Sequence, residues 1–220
     1  MAKRLERKIM QADETLKILV DKFNLDLSQP NPIQIPGSRW HDVGQLLNDL
    51  GFKNLAEIGV YRGRFTERLT SQCPTAQVSA IDAWNLYQDY NDYTKDDLED
   101  IAYNEFNKRM EKYNNLKVIK SWSVDASKIF EDKSLDYIFI DANHQFEFVV
   151  EDLKAWYPKV KEGGIIMGHD YFAPRHPKIK VLNFGVINAV NGFVESKHIK
   201  HLFIWKDNVP SWLFVKGDNL

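Results

Sequence analysis

The chain has 220 residues, of which 44% are hydrophobic, and this length supports one substantial core and not two. The formal net charge is −2, and no block of Lys and Arg is long enough to follow a phosphate backbone, so the sequence disfavours a nucleic-acid partner. A single cysteine, Cys73, excludes a disulfide framework and a cysteine-ligated zinc site. No apolar segment is long enough to cross a bilayer, and the charged start of the chain lacks the apolar core of a signal peptide, so we expect a cytoplasmic protein with no membrane contact.

The N-terminal part of the chain has an amphipathic helical pattern. Apolar residues recur at helical spacing and predict a helix over Ala2–Phe23 with one apolar stripe, formed by Leu5, Ile9, Ala12, Leu16, Leu19 and Phe23. The stripe can pack on the protein's own domain, or it can form a homodimer contact through a coiled-coil-like seam. The proline-rich residues 27–37 predict an extended linker. We therefore expect an N-terminal helix and linker over 1–37 and one domain over 38–220.

The rest of the chain alternates apolar runs with helical patterns. Residues 38–50 predict a helix that ends at Gly51. Strands are then predicted at 55–60, 77–81, 116–120, 135–140 and 164–167, and helices at 64–69, 98–113, 126–130 and 146–156. Two aromatic-rich runs, 201–205 and 212–216, have no helix between them and predict an antiparallel hairpin. The sequence therefore predicts an α/β fold: a mostly parallel seven-stranded sheet with a C-terminal antiparallel hairpin, with helices on both faces and ligands at the carboxyl ends of the strands.

The segment AEIGVYRGRFTERL, residues 56–69, has the pattern of a buried strand that turns sharply into a helix. Gly59 and Gly63 allow backbone amides in this turn to approach a ligand closely. A dinucleotide-binding turn has a glycine at the position of Tyr61, so the segment disfavours an NAD-linked oxidoreductase. Its pattern, acid-x-Gly-x-x-x-Gly, resembles the first motif of the class I S-adenosylmethionine-dependent methyltransferases.

This resemblance implies a Rossmann-like class I methyltransferase fold with S-adenosyl-L-methionine as cofactor. In the family, an acid beside the turn helps to hold the cofactor's amino group, a role that would fall to Glu57, and backbone amides of the turn take the carboxylate, which involves Gly59 and Gly63. Family members also present a polar residue to the adenine amino group, at the position of Ser123 and Asp125 in this chain. The alternative for Ser123 or Asp125 is a helix N-cap.

Asp82 ends the second predicted strand. A carboxylate there can accept hydrogen bonds from both ribose hydroxyls of an adenosine-containing ligand, whichever cofactor carries the adenosine. Trp84 packs either on the adenine or ribose, or only within the core. Arg39 and Trp40, at the start of the helix over 38–50, are placed to reach the cofactor or substrate, with core packing as the alternative for Trp40.

Four polar side chains follow the fourth and fifth predicted strands: Asp141 and His144 after one, His169 and Asp170 after the next. Because neighbouring parallel strands end at the same edge of a sheet, we expect these side chains to meet on the ligand-binding side. Two carboxylates and two imidazoles facing a methyl donor indicate either general-base catalysis or a divalent metal ion. All four are candidate catalytic residues, and Asp141 is also a candidate cofactor contact.

The same region carries a closer resemblance. It resembles the small-molecule O-methyltransferase group that includes macrocin O-methyltransferase and the cephalosporin hydroxylase-associated proteins, through Asp141 and His144 in a D-x-x-H pattern, Trp156 and Pro158 after a long helix, Gly163, Gly164, and the acid Asp170. The resemblance implies that the methyl group goes to a hydroxyl of a small molecule, such as a sugar or a natural product.

Related metal-dependent O-methyltransferases bind magnesium through an acid after strand four and a pair of residues after strand five, either two acids or an acid followed by Asn. Asp141 and Asp170 match these positions, but His169 takes the first place of the pair, and imidazole suits a transition-metal ion better than magnesium. Asp141, His169 and Asp170 are therefore a candidate metal-binding set. Without a metal, His144 or His169 is the candidate base.

Two alternatives stay open. Enzymes that methylate exocyclic amines of nucleic-acid bases usually carry Asn/Asp-Pro-Pro-aromatic after strand four, where this chain has Asp-Ala-Asn-His, so we expect a small-molecule substrate and not a nucleic acid. A non-catalytic S-adenosylmethionine-binding protein would retain the same cofactor residues. We expect residues 85–97 and 172–184 to form loops that select the substrate.

Overall fold

The computed structural model describes residues 2–85, 101–172 and 184–218, and for residues 2–11 it describes the backbone alone. The helices are α1 (Ala2–Phe23), α2 (Arg39–Asp49), α3 (Arg64–Gln72), α4 (Tyr103–Met110), α5 (Ser123–Ser127), α6 (Phe146–Trp156) and α7 (Val186–Ser196), and a 3-10 helix, Tyr157–Lys159, follows α6. The strands are β1 (Ile33–Ile35), β2 (Asn54–Ile58), β3 (Gln77–Asp82), β4 (Leu116–Lys120), β5 (Leu135–Ile140), β6 (Val160–Gly168), β7 (Phe203–Trp205) and β8 (Ser211–Val215). None of the described helices combines the length and the hydropathy needed to cross a membrane.

The described strands form one eight-stranded sheet in the order β1-β7-β8-β6-β5-β2-β3-β4. β8 is antiparallel to its neighbours β6 and β7, and every other neighbouring pair is parallel. This arrangement confirms the predicted α/β fold, with its mostly parallel sheet and C-terminal antiparallel hairpin. Because β2, β3, β5 and β6 run in the same direction, their carboxyl ends meet at one edge of the sheet.

Helices cover both faces of the sheet. Side chains of α1, α2 and α3 form a core on one face, and side chains of α6 and α7 form a second core on the other. Successive residues of β5 alternate between the two cores: Tyr137 and Phe139 belong to the first, Ile138 and Ile140 to the second. Burial on both faces explains why β5 is an almost continuous apolar run.

Two elements differ from the prediction. Residues 33–35 were expected in a linker, but they form β1, which pairs in parallel with β7 and adds an eighth strand. The strand is short and lies between Pro32 and Pro36. Because proline lacks a backbone donor and is rare within sheets, a stretch rich in proline is typical of a linker and not of a strand. α7 occupies a stretch with no predicted helix, although its buried residues have helical spacing: Val186, Ala189, Val190, Phe193 and Val194.

Some boundaries and loops also differ from the prediction or escape it. α5 covers Ser123–Ser127 and not 126–130, and β6 is longer than the predicted strand over 164–167. Most of the two predicted substrate-selecting loops, residues 86–97 and 173–183, lies outside the described residues.

The described part of the α1 stripe packs on the protein's own sheet. Ala12, Leu16 and Leu19 are buried in the first core, and the Thr15 hydroxyl donates a hydrogen bond to the carbonyl of Gly163 in β6 at 2.7 Å. Of the two interpretations of the stripe, packing on the same domain therefore holds for these residues. The Leu5 and Ile9 side chains, on which a homodimer contact would also depend, lie outside the described part.

Gly63 stands immediately before α3 with a left-handed φ of 72°. A Cβ at this position would lie 2.6 Å from the ring of Phe106 in α4. The missing side chain therefore allows α4 to pack against the start of α3. This packing is a reason for a glycine at this position, and the predicted cofactor contact at Gly63 stays a prediction.

We expect Gly63→Ala to destabilise the protein more than Gly51→Ala does. Both glycines have a left-handed φ, 72° and 68°, so both substitutions carry a backbone cost of about 1 kcal/mol. Only at Gly63 does the new Cβ meet another side chain, because Gly51 has nothing within 4 Å, and overpacking adds about 1–3 kcal/mol. Urea unfolding of the two variants measures the difference in stability. Equal losses would contradict the packing role of Gly63.

Candidate active site

A cavity of about 500 Å³ lies at the carboxyl ends of β2, β3, β5 and β6. Its volume is within the range of pockets for small organic ligands, roughly 300–1,000 Å³. Its walls include most of the polar residues that the sequence singles out: Arg39, Glu57, Asp82, Ser123, Asp141, His144, His169 and Asp170. The carboxyl edge of the sheet is therefore concave and presents these polar side chains, as expected for a ligand site in a parallel sheet.

Gly59 forms the turn after β2 and lines the cavity. Its φ is 85°, and a Cβ there would lie 2.2 Å from the carbonyl oxygen of Asp141 and 2.6 Å from the Cα of Ala142. Any side chain would therefore push apart the turn after β2 and the turn after β5. The glycine is required by this close approach of two backbones, in addition to any approach of a ligand.

Glu57 lies in β2 below this turn and is 2% exposed. Burial raises the pKa of Glu57 well above its ordinary value, while a hydrogen bond from the Thr66 hydroxyl at 2.5 Å and the nearby charge of Arg39 act against the rise. A buried carboxyl group of this kind gains from a cationic partner. The wall of the cavity at Glu57 therefore suits the ammonium group of an amino-acid ligand.

Asp82 lines the cavity from the end of β3, but its carboxylate is largely engaged. One oxygen accepts the amides of Val60 and Tyr61, each at 2.8 Å, and the other accepts the amide of Trp84 at 2.6 Å. Burial raises the pKa of Asp82, and these three amide bonds oppose the rise. Because a carboxylate offers about four acceptor positions, one position remains for a ribose hydroxyl, where the sequence analysis expected two. Asp82 primarily fixes the glycine turn to β3.

Trp84 and Asp125 do not line the cavity. The Trp84 ring is fully buried, donates its indole N–H to the Tyr61 carbonyl at 2.8 Å, and packs beside Phe106 with 4.9 Å between ring centroids. The Asp125 side chain is 63% exposed and pairs with Lys128 at 2.7 Å. The predicted cofactor contacts at both positions are therefore corrected: Trp84 closes the core, and Asp125 faces solvent.

Ser123 lines the cavity, but its hydroxyl is held by α6. The hydroxyl donates to the carboxylate of Asp152 and accepts the indole N–H of Trp156 at 2.9 Å. Burial raises the pKa of Asp152 to about 7, and the hydrogen bond from Ser123 opposes that rise. The Ser123 hydroxyl is therefore already hydrogen-bonded within the protein. The predicted contact with adenine would then fall to the backbone of Ser123. No sequence motif singled out Asp152, although it lies four residues before Trp156, at helical spacing.

The acid–imidazole cluster consists of Asp141, His144, His169 and Asp170. His144 Nε2 lies 2.8 Å from Asp170 Oδ2 and 3.5 Å from Asp141 Oδ1. His169 Nδ1 lies 3.1 Å from the same Asp170 oxygen and 3.5 Å from the same Asp141 oxygen. The ends of β5 and β6 therefore bring the four predicted side chains together. Asp170 has a left-handed φ of 60°, a conformation that non-glycine residues rarely adopt outside turns and functional sites.

Within the cluster, the two carboxylates and the two imidazoles stabilise each other's charged forms. Burial alone would lower the pKa values of the two imidazoles, but hydrogen bonds to Asp141 and Asp170 outweigh burial and raise the pKa of His144 to about 10 and that of His169 to about 9. Burial would raise the pKa values of the two carboxyl groups, whereas the imidazoles hold them below their ordinary range. At neutral pH both imidazoles are therefore protonated in the ligand-free protein. Neither can act as a base until a ligand or an ion changes this balance.

The same geometry suits a metal ion. The ligand atoms of Asp141, His144 and Asp170 lie within 4.8 Å of one another. Their mixed nitrogen and oxygen donors fit a transition-metal ion better than magnesium. The group that the structure assembles includes His144, whereas the sequence analysis placed His169 in the metal set.

Arg39 and Trp40 line the cavity from the start of α2. Arg39 is 5% exposed, and its guanidinium lies 4.8 Å from the centroid of the Trp40 ring. The sequence predicted that both residues could reach the ligand, with core packing as the alternative for Trp40. It missed Phe184, which stacks on the His144 ring with 5.4 Å between centroids. Phe184 belongs to a stretch predicted as a loop, and no local pattern indicates such a contact.

We expect the pH dependence of stability to report the buried Asp152. Its folded-state pKa of about 7 exceeds the value of about 3.9 for an unfolded Asp, so folding takes up a proton between these pH values. The contribution of Asp152 to stability therefore decreases as pH rises from about 4 to about 7, by at most about 1.4 kcal/mol per pH unit. Asp152→Asn removes this decrease, so the variant gains stability relative to wild type over that range.

Urea unfolding at a series of pH values measures this difference. Asp125→Asn removes an exposed acid on α5 and is the matched control for the loss of one carboxyl group. A constant stability difference between Asp152→Asn and wild type from pH 4 to pH 7 would show that Asp152 does not titrate as the structure indicates.

The sequence matches a family model, and the fold matches known structures. A family model described as a methyltransferase domain matches residues 56–171. No curated protein shows significant sequence similarity to the chain. A Staphylococcus aureus protein assigned as a caffeoyl-CoA O-methyltransferase is 14% identical, with a TM-score of 0.60 over 92% of this chain and 91% of that chain.

Two further structures show the same likeness. A Klebsiella pneumoniae protein assigned as an O-methyltransferase is 12% identical, with a TM-score of 0.58 over 96% of this chain and 89% of that chain. The SAH-bound Podospora anserina methyltransferase PaMTH1 is 15% identical, with a TM-score of 0.57 over 79% of this chain and 76% of that chain. At these identities the likeness concerns the fold. The family model, by contrast, spans more than half of the chain and includes the glycine turn and the acid–imidazole cluster, so the chain belongs to this methyltransferase-domain family.

Proposed function

We propose that the protein is an S-adenosylmethionine-dependent methyltransferase that acts on a hydroxyl of a small molecule. The observation that carries this proposal is the arrangement of one cavity. The glycine turn, Glu57 and Asp82 line this cavity together with the acid–imidazole cluster. A donor bound at Glu57 and Asp82 would therefore lie beside groups that can take up a proton.

The residues present fit the donor. Glu57 is a buried acid that suits an ammonium group, and the turn at Gly59 supplies a narrow backbone wall beside it. Asp82 retains an acceptor position for a ribose hydroxyl. When bound, S-adenosylmethionine supplies a methyl group on an already activated sulfonium. The protein's part is then to align the acceptor oxygen with that methyl group and to take its proton.

The acid–imidazole cluster is the group placed to manage that proton. His144 and His169 each have a ring nitrogen between the two carboxylates, so the cluster can accept a proton once a ligand shifts its charge balance. Alternatively, Asp141, His144 and Asp170 would hold a divalent ion that acidifies the acceptor hydroxyl. Both routes favour an oxygen nucleophile, because a hydroxyl must lose its proton as the bond to methyl forms.

The charge of the chain supports a small acceptor over a nucleic acid. The whole chain has a formal net charge of −2. A phosphodiester backbone gains little from this balance of charge, because nucleic-acid affinity depends on neutralising phosphates with Lys and Arg. A sugar or another polyhydroxylated molecule has no such requirement.

Methyl transfer from labelled S-adenosylmethionine to a panel of hydroxylated small molecules tests the proposal. We expect label on an acceptor oxygen and a fall in kcat of roughly 100-fold or more for His144→Gln, the usual effect of losing an acid–base group. His41→Gln changes an exposed histidine on α2 and should retain wild-type activity. S-adenosylhomocysteine binding without label transfer to any acceptor would instead support a non-catalytic binding protein.

The same assay separates the two routes for the proton. Loss of turnover in chelator, with recovery after adding a transition-metal ion, would assign the cluster to a metal. Full turnover in chelator would assign proton transfer to an imidazole. An Asp141→Asn variant as active as wild type under both conditions would contradict a role for the cluster in the reaction.

A further inference from the structure

We propose that Arg39 binds the carboxylate of the methyl donor's amino-acid end and, together with Glu57, forms a receptor for its zwitterion. This inference rests on the proposed function. It adds a side chain that contacts the donor from α2, outside the residues that the family model matches.

The Arg39 guanidinium is buried with only part of its donors engaged. The residue is 5% exposed. Its Nη1 lies 3.3 Å from the Asp207 carboxylate and 3.4 Å from the Val209 carbonyl, both near the upper limit for a hydrogen bond. Within the part of the chain that the structure describes, Nε is buried without a hydrogen-bond partner, and both hydrogen bonds that the guanidinium donates, to Asp207 and Val209, come from Nη1. A buried guanidinium with unused donors is costly unless a ligand engages them.

The unused donors lie on one edge of the group. Nε and Nη2 form a fork that matches the two oxygens of a carboxylate, whereas Asp207 and Val209 use the opposite corner at Nη1. The aromatic rings of Trp40, Phe65 and Phe139 lie 4.8, 5.8 and 5.9 Å from the guanidinium carbon and restrict the plane of the group. The fork is therefore oriented before a ligand arrives.

The neighbouring acids leave this fork available. Asp141 and Asp170 are close enough for their charges to act on Arg39, but their carboxylates are already paired with His144 and His169. Glu57 is hydrogen-bonded to Thr66, and none of the described hydrogen bonds joins it to Arg39.

Arg39 and Glu57 together match the charges of an amino acid. Both side chains line the same cavity, one cationic and one acidic. The charge of Arg39 acts to lower the pKa of Glu57. The amino-acid end of S-adenosylmethionine presents an ammonium group and a carboxylate on one carbon. Glu57 is placed for the first and Arg39 for the second. The ligand carboxylate then engages guanidinium donors that Asp207 and Val209 leave unused, and the ligand ammonium group gives Glu57 a cationic partner.

Two ligands that differ only at this end test the assignment. S-adenosylhomocysteine carries the amino acid, whereas 5′-methylthioadenosine keeps the adenine, ribose and thioether sulfur without it. By isothermal titration we expect Arg39→Gln to weaken S-adenosylhomocysteine binding by roughly 10- to 100-fold, the effect of losing charge-assisted hydrogen bonds, and to change 5′-methylthioadenosine binding by less than about twofold. Arg39→Lys keeps the charge without the fork and should fall between wild type and Arg39→Gln.

Arg68→Gln, on α3 and outside the cavity wall, is the matched control and should bind both ligands like wild type. If Arg39→Gln does not fold, as judged by circular dichroism, Arg39→Lys carries the test through its selective loss of S-adenosylhomocysteine affinity. Equal losses for the two ligands, or no loss for S-adenosylhomocysteine, would overturn the assignment while leaving the proposed function intact. Wild-type protein that binds neither ligand would overturn both.

Discussion

Gly59 lets the ends of β2 and β5 approach so closely that a Cβ at this position would lie 2.2 Å from the carbonyl oxygen of Asp141. The Asp141 amide donates to the Ile58 carbonyl at 2.7 Å and extends the sheet to this point. This contact places the turn after β2 directly against the strand end that starts the acid–imidazole cluster. The glycine turn and the acid–imidazole cluster are therefore parts of one cavity, and the proposed methyl transfer depends on that adjacency.

Buried charge is the second constraint on this edge of the sheet. Asp82 is stabilised by three backbone amides, and Asp141 and Asp170 by two imidazoles. Glu57 and Arg39 are different, because each has less compensation from the described residues than its burial requires. The carboxylates that the protein satisfies hold the site in shape, whereas Glu57 and Arg39, whose burial is only partly compensated, are the groups that a zwitterionic ligand would pair.

The sequence predicts those features that depend on local pattern. Alternating strands and helices, the glycine turn and the clustering of polar residues at two strand ends follow from periodicity and from the geometry of parallel strands. What it does not predict depends on long-range contacts. β1 is too short and too rich in flanking prolines to be recognised without its partner β7. Gly63 and Trp84 both pack against Phe106, which lies more than twenty residues away on α4. No local sequence pattern indicates that backbone amides of the glycine turn donate hydrogen bonds to Asp82.

A crystal structure of the protein with S-adenosylhomocysteine tests the central claim most directly. We predict the nucleoside across the carboxyl edge of the sheet, with its amino-acid end between Glu57 and Arg39, its ribose at Asp82, and its sulfur facing the acid–imidazole cluster. A nucleoside bound elsewhere on the protein, or one whose sulfur points away from the cluster, would contradict the account.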